Sequence, residues 1–278
     1  MKVLFVNHFG FPDYQNDMVY HGLVDSGYDV YETAFPRYML STYPNPTSLY
    51  GRGFSIFAKL NHTPKVDSPE IIIEKIKSRF YDYVIFGSVW RDLSYLDEVI
   101  KYYKKDRVYF IDGEDQTNVK HELTEYGIYC KRECEDSTIK PITFSIPESQ
   151  LLKDEVPKTK LFGTIIPGRV DTYVFHTEKD YYQDYATSYY GITHKKAGWD
   201  CMRHYEILAN KCIPYFTDLS GCPKLTLSTF PKGLILETNE YAKKNEIHPN
   251  YDQLNKELFE YTRKNLTTKK LIETILCY

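Results

Sequence analysis

The chain of 278 residues has no apolar run approaching the roughly 20 residues that a membrane-spanning helix needs. Its opening stretch, MKVLFVNHFG, is too short in its apolar part and lacks a cleavage site, so it reads as a first β-strand rather than a signal peptide. Basic excess is also missing: 35 Lys and Arg against 38 Asp and Glu give a net charge of -3. That argues against a protein devoted to the nucleic-acid backbone, although a local patch, and with it a nucleic-acid acceptor, is not excluded. The six cysteines are scattered, and Cys130 and Cys134 neither form a Cys-x-x-Cys pair nor have a second pair after them. Structural zinc is therefore not expected, and reduced cysteines in a cytoplasmic protein are. The chain shows no internal repeat and no low-complexity tract. It has no Gly-x-Gly-x-x-Gly fingerprint after the first strand, so a dinucleotide is not supported.

What is present fits a soluble globular protein with ample core: 42% hydrophobic and 26% charged residues. Tyrosine is abundant at 27 residues, and some of these rings can serve as sugar-stacking faces. Residues 2–7 form an apolar strand, 8–13 a loop, 16–26 a helix stopped by Gly27, and 29–33 a second strand. This βαβ opening predicts a parallel sheet, whose ligands bind beyond the carboxyl ends of its strands. Residues 34–66 form a long irregular stretch with Tyr50 and Arg52 at its tip, either a plain surface turn or an acceptor-binding loop. Ser68-Pro69 opens a helix that runs to about residue 80. Strands at 82–89 and 107–112 and helices at 95–103 and 116–126 follow, and this first unit ends near residue 140.

From residue 142 the alternation restarts. A strand is expected at 161–166, ending in Pro167-Gly168-Arg169, then a helix over 178–190, a strand at 233–237 and one or two helices over 252–276. Between them lies 195–216, KKAGWDCMRHYEILANKCIPYF. It reads as a turn, a helix over 199–210 and a buried strand. Asp200, Arg203, Glu206 and Asn210 share a stripe of that helix. Taken alone, such a stripe is more often a solvated surface ladder than a site.

The segment RHYEILANKCIPYF, from Arg203 to Phe216, resembles the Arg-x-Tyr-Glu-x-Leu-Ala-x-Gly-Cys-Ile-Pro stretch of exostosin-type glycosyltransferases. More broadly it is similar to the C-terminal donor-binding motif of GT-B glycosyltransferases. Lys211 departs from that pattern, which has Gly there. The resemblance implies an α/β fold of two Rossmann-like domains facing across a cleft. Residues 1–140 would be the acceptor side and 141–278 the nucleotide-sugar side, with a C-terminal helix able to return to the first domain. It implies that Glu206 holds the ribose diol and Arg203 a phosphate of a nucleotide-diphosphate sugar donor. Asp200 would orient Arg203. Lys195, Lys196 and Gly198 ahead of the helix, with Arg169, supply charge and amides for the diphosphate. A base must deprotonate the acceptor hydroxyl. Candidates at strand ends are Asp13, preferred, then Asp17 and Glu114, with His8 nearer the first strand; the plainer readings are a helix-dipole role for Asp17 and helix capping for Glu114. No cofactor or metal is expected to be essential. The implied activity is sugar transfer, with inversion favoured, to a glycan, protein or small-molecule hydroxyl. A nucleotide-sugar epimerase and a non-catalytic nucleotide- or glycan-binding protein on the same scaffold are the rivals.

Overall fold

A computed structural model of the chain describes residues 1–8, 12–43 and 56–278. Six parallel strands form the first sheet: β1 (Lys2–Val6), β2 (Asp29–Glu32), β3 (Tyr83–Phe86), β4 (Val108–Asp112), β5 (Ile128–Lys131) and β6 (Lys140–Pro141), in the order β2-β1-β3-β4-β5-β6. The inner strands β1, β3 and β4 are near-continuous apolar runs because both faces are covered. Leu4, Val6, Val84, Phe86, Val108 and Phe110 point to one face, against Ile72 and Ile76 of α2 (Pro69–Lys77) and Val99 of α3 (Leu96–Tyr102). Their neighbours Val3, Phe5, Ile85, Tyr109 and Ile111 point to the other, against Met18, Val19 and Leu23 of α1 (Tyr14–Asp25).

Strand order reverses between β1 and β3, which leaves a crevice beyond their carboxyl ends. Gly87 lets this corner close: a Cβ there would stand 2.0 Å from Asn16 Oδ1 and 2.5 Å from Phe5.

The second sheet has three parallel strands in the order β7-β8-β9: Lys160–Phe162, Ser188–Thr193 and Ile213–Phe216. Helix α4 (Glu178–Ala186) connects β7 to β8, and α5 (Met202–Ala209) connects β8 to β9. Helices α6 (Lys232–Ala242), α7 (Tyr251–Asn265) and α8 (Thr268–Leu276) follow. The fold is thus α/β with two parallel sheets.

Three sequence expectations are corrected. The apolar run at 233–237 lies in helix α6, since Ile235, Thr238 and Ala242 bury one helical face; a short apolar run does not separate strand from helix by itself. The helix expected over 178–190 stops at Ala186, where Thr187 caps it, and residues 188–193 are the central strand β8. The helix expected over 116–126 is reduced to a 3₁₀ turn at His121–Glu125.

Helix α8 lies against α1. The Ile146 and Thr268 backbones meet at the start of α8, with Thr268 N donating to Ile146 O at 3.0 Å. His21 Nδ1 and Thr268 Oγ1 are 3.0 Å apart. Gly22 permits the crossing, because a Cβ there would meet the Thr268 carbonyl oxygen at 2.3 Å. One apolar core consequently runs from Val3 and Phe5 through Met18 and Ile272 to Tyr205, Leu208 and Ile213, with no break between the sheets.

Candidate active site at the strand ends

Asp13 sits in the crevice as the N-cap of α1, accepting from Asn16 N at 3.2 Å. Its other oxygen accepts from Ser88 Oγ at 3.0 Å and lies 3.0 Å from Arg91 Nε. Arg91 reaches onward to Glu114 Oε1 at 3.4 Å. The loops after β1, β3 and β4 therefore converge on one guanidinium. Asp17, one turn into α1, is fully buried, and Tyr38 Oη lies 2.8 Å from both carboxylate oxygens. Burial, with Asp13 adding repulsion, holds the Asp17 carboxyl well above the usual carboxylate range. Of the three candidate acids, Asp13 and Glu114 reach the surface of the crevice and Asp17 is closed off behind Tyr38. Tyr50 and Arg52 lie outside the described residues.

Asp112 ends β4 in the interior. It takes the Lys131 ammonium at 3.0 Å, the Tyr129 hydroxyl at 2.6 Å and the Trp90 indole N–H at 3.0 Å. Asp115 pairs with Arg132. The acids at 112, 114 and 115 are thus turned to different partners.

In the second half, His194 lies between two carbonyls, Nδ1 2.6 Å from Lys195 O and Nε2 3.1 Å from Pro167 O, and so brings the loop after β8 beside the loop carrying Arg169. Lys195 and Lys196 are exposed on the first of these loops, and Lys195 Nζ stands 5.0 Å from the Trp199 ring centre. Arg169 has a 62% exposed side chain and pairs with Asp171 at 2.9 Å. Gly198 does not open toward an anion. It is buried, and a Cβ there would stand 2.6 Å from Glu133 Oε1 and 2.9 Å from Asp115 Oδ1. Its smallness lets two carboxylates from the first half approach the loop.

Helix α5 starts later than expected, because Cys201 is extended and Asp200 is committed elsewhere. Asp200 Oδ2 accepts from Phe144 N at 2.7 Å and its own N–H donates to Glu133 Oε1 at 2.8 Å. It therefore does not orient Arg203. Burial, reinforced by Glu133 and opposed by Arg132, lifts the Asp200 carboxyl to about 7. His204 is buried between Thr193 Oγ1 at 3.0 Å and the Trp199 carbonyl at 2.9 Å. Its imidazole is pushed down to about 3, chiefly by burial, so it is neutral and donates from Nε2 to that carbonyl.

Glu206 is 1% exposed. The Tyr181 hydroxyl donates to its Oε2 at 2.8 Å and lies 3.4 Å from the Tyr185 hydroxyl. Arg203 shares this environment: Tyr181, Tyr185 and Glu206 all favour its charge against the cost of burial. A solvated surface ladder is therefore not what α5 carries. Tyr14, from the first half, is pushed up to about 12 by burial, then by Glu206 and Asp17. It stands in the field of one acid from each half. Lys59 pairs with Glu178 at the start of α4, and burial raises the Glu178 carboxyl, with Glu206 contributing. These groups make one polar island between the sheets.

Arg132 is the residue that the sequence does not announce. It is buried, donates to the Gly113 carbonyl from Nε at 3.0 Å and Nη2 at 2.8 Å, and from Nη1 to the Asp200 carbonyl at 2.5 Å. Glu133 accepts from the same Nη1 at 3.0 Å, and the Phe144 ring lies 4.4 Å from the guanidinium. One side chain thus joins the β4 loop to the loop before α5. The available signal is the charged run Lys131-Arg132-Glu133 at the carboxyl end of a buried strand, where a solvated turn would otherwise be expected.

No protein-family model matches the chain, and no curated protein does. Among solved structures it is similar to MurG of Acinetobacter baumannii, at 12% identity and a TM-score of 0.43, covering 100% of this chain and 99% of that one.

Proposed function

We propose that the chain is a glycosyltransferase of GT-B type that moves a sugar from a nucleotide-diphosphate donor to a hydroxyl. Residues 1–140 form its acceptor side and 141–278 its donor side. The observation that carries the proposal is Glu206 on α5, a buried carboxylate held by the Tyr181 hydroxyl, with the half-buried Arg203 one turn before it and Tyr14 of the opposite half both in its field. Burying such a carboxylate costs several kcal/mol before its hydrogen bond is counted. A site that must receive a polar, charged ligand between two sheets accounts for that cost.

In this reading Glu206 accepts from the two ribose hydroxyls, exchanging its bond with the Tyr181 hydroxyl for them. Arg203, Lys195, Lys196 and Arg169 meet the diphosphate, and Asp13 at the crevice takes the proton of the acceptor hydroxyl. Inversion at the anomeric carbon follows from a single displacement assisted by that base. The acceptor is a glycan, a protein or a small molecule, and the six free cysteines favour a reducing, cytoplasmic setting.

The test is a thermal-shift screen of nucleoside diphosphates, since a ligand that binds the native state raises apparent stability. The best ribonucleotide and its 2′,3′-dideoxy analogue are then titrated against the wild type and Glu206→Ala. A charge-assisted bond of about 1.5–3 kcal/mol corresponds to roughly ten- to a hundredfold in affinity. The wild type should prefer the ribonucleotide by that factor, and the variant should lose most of the preference, with Glu206→Gln falling between. Equal discrimination by wild type and Glu206→Ala would leave Glu206 as a structural partner of Tyr181 and remove the centre of the donor assignment.

A further inference from the structure

Trp90 is one of two tryptophans in the chain, and it is 43% exposed at the carboxyl end of β3. An exposed indole is usually free to turn. Here its N–H is fixed 3.0 Å from Asp112 Oδ2, and Asp112 is itself buried under the Lys131 ammonium and the Tyr129 hydroxyl. Lys120 lies over one face of the ring, with Nζ 4.6 Å from the ring centre and anchored on the Val89 carbonyl at 3.1 Å, which leaves the other face for a ligand. The ring is therefore a rigid platform, whose own hydrogen-bonding need is met from within.

It lines a cavity of about 230 Å³ together with Glu114, Gln116 and Asn118. That is smaller than the roughly 300–1,000 Å³ of sites for drug-sized molecules and suits a single sugar ring. The composition is one aromatic face with a carboxylate and two carboxamides around it. The face of an indole is electron-rich, so it attracts the weakly positive C–H groups on one side of a pyranose. Carboxamides offer both a donor and an acceptor to neighbouring hydroxyls, and a carboxylate accepts from them. Glu114, on the cavity wall, lies 3.4 Å from Arg91, which in turn lies 3.0 Å from Asp13.

We infer that the cavity at Trp90 is a sugar-stacking subsite that receives one pyranose ring of the acceptor. The assignment to the acceptor rests on the proposed transferase activity; binding of a pyranose does not. It narrows the acceptor to a glycoside or glycan carrying a free hydroxyl within reach of Asp13.

Both tryptophans can be replaced by 5-fluorotryptophan and followed by fluorine NMR, with Trp90→Phe identifying the Trp90 signal. Methyl β-D-glucopyranoside, methyl β-D-galactopyranoside and methyl N-acetyl-β-D-glucosaminide are titrated in turn. At least one should move the Trp90 signal saturably and leave Trp199 in place. Gln116→Ala and Asn118→Ala change exposed side chains, so the fold is retained. Each should weaken that binding about two- to tenfold, the loss of one hydrogen bond. Uridine diphosphate and the other nucleoside diphosphates form the second arm and should move Trp199, which lies beside Lys195. Glycosides that leave Trp90 unmoved, or that move both signals alike without saturation, overturn the subsite. So does movement of Trp90 by adenosine but by no glycoside, which would make the ring a base platform. A failed nucleotide arm with a saturable Trp90 response would instead sink the transferase reading while keeping the pyranose site.

Discussion

At the scale of single residues, burial decides what each charged group is for. Asp200 shows this most directly. Its carboxyl titrates near 7 in the folded chain against 3.8 for an unperturbed aspartate, with burial as the largest cause. The folded state therefore holds a proton that the unfolded state has released between about pH 4 and 7. Stability contributed by the protonated group is present below about pH 4 and is lost as pH rises through about 7. Asp200→Asn keeps an oxygen for Phe144 N–H and removes the titration. The wild type should lose stability relative to this variant by a few kcal/mol between pH 4 and 7, at about 1.4 kcal/mol for each pH unit crossed. Urea unfolding of both proteins at several pH values measures it, and a constant difference would refute the assignment. The buried neutral His204 acts with the opposite sign, but both proteins carry it, so it cancels. Glu206 and Arg203 were legible as candidates because they fall within one short stretch. Arg132 was not, because it donates to Asp200 across 68 positions of sequence and no local pattern encodes that contact.

Elements were legible where their apolar period is long or their ends are marked. β1, with four apolar residues in a row after Lys2, and α2, with Pro69 at its start, are of this kind. β8 was not, since SYYGIT follows α4 without Gly or Pro at the junction and its tyrosines fit either period. The turn from α5 to β9 carries a more specific lesson. Lys211 has φ of +51°, a left-handed conformation that suits the Gly of the resembled motif. A side chain there costs about 1–2 kcal/mol. Lys211 offsets part of this through its pair with Glu155 and its approach to the Phe259 ring at 5.0 Å. Lys211→Gly should therefore be neutral or more stable by up to about 1 kcal/mol, whereas Lys211→Ala should be less stable, losing the contacts without relieving the backbone. Chemical denaturation of the two variants separates the terms; the reverse order would mean that the side chain, not the backbone, governs the turn.

For the molecule as a whole, the alternation of strands and helices was enough to expect parallel sheets, but not to expect that one core would join them. The join is set by close approach, which composition does not reveal. Gly22 and Thr268 meet where α1 crosses α8, and an added methyl group there faces a backbone oxygen that cannot turn aside. Gly22→Ala should cost about 1–3 kcal/mol or more. Gly233, with nothing within 4 Å of its would-be Cβ, provides the control, and Gly233→Ala in α6 should be neutral or slightly stabilising. Equal stability of both variants would show that the helices separate without penalty.

The position of α8 also bears on how the chain is made. Synthesis proceeds from the amino end, and independent domains generally fold in that order. Here α1 emerges early, yet Leu271, Ile272 and Ile275, which complete the core beside it, are added long afterwards, once both sheets have been synthesised. Until α8 is in place, the face of α1 that it covers stays unburied. A chain truncated before α8 should keep that face exposed and be cleaved faster than the full chain in limited proteolysis.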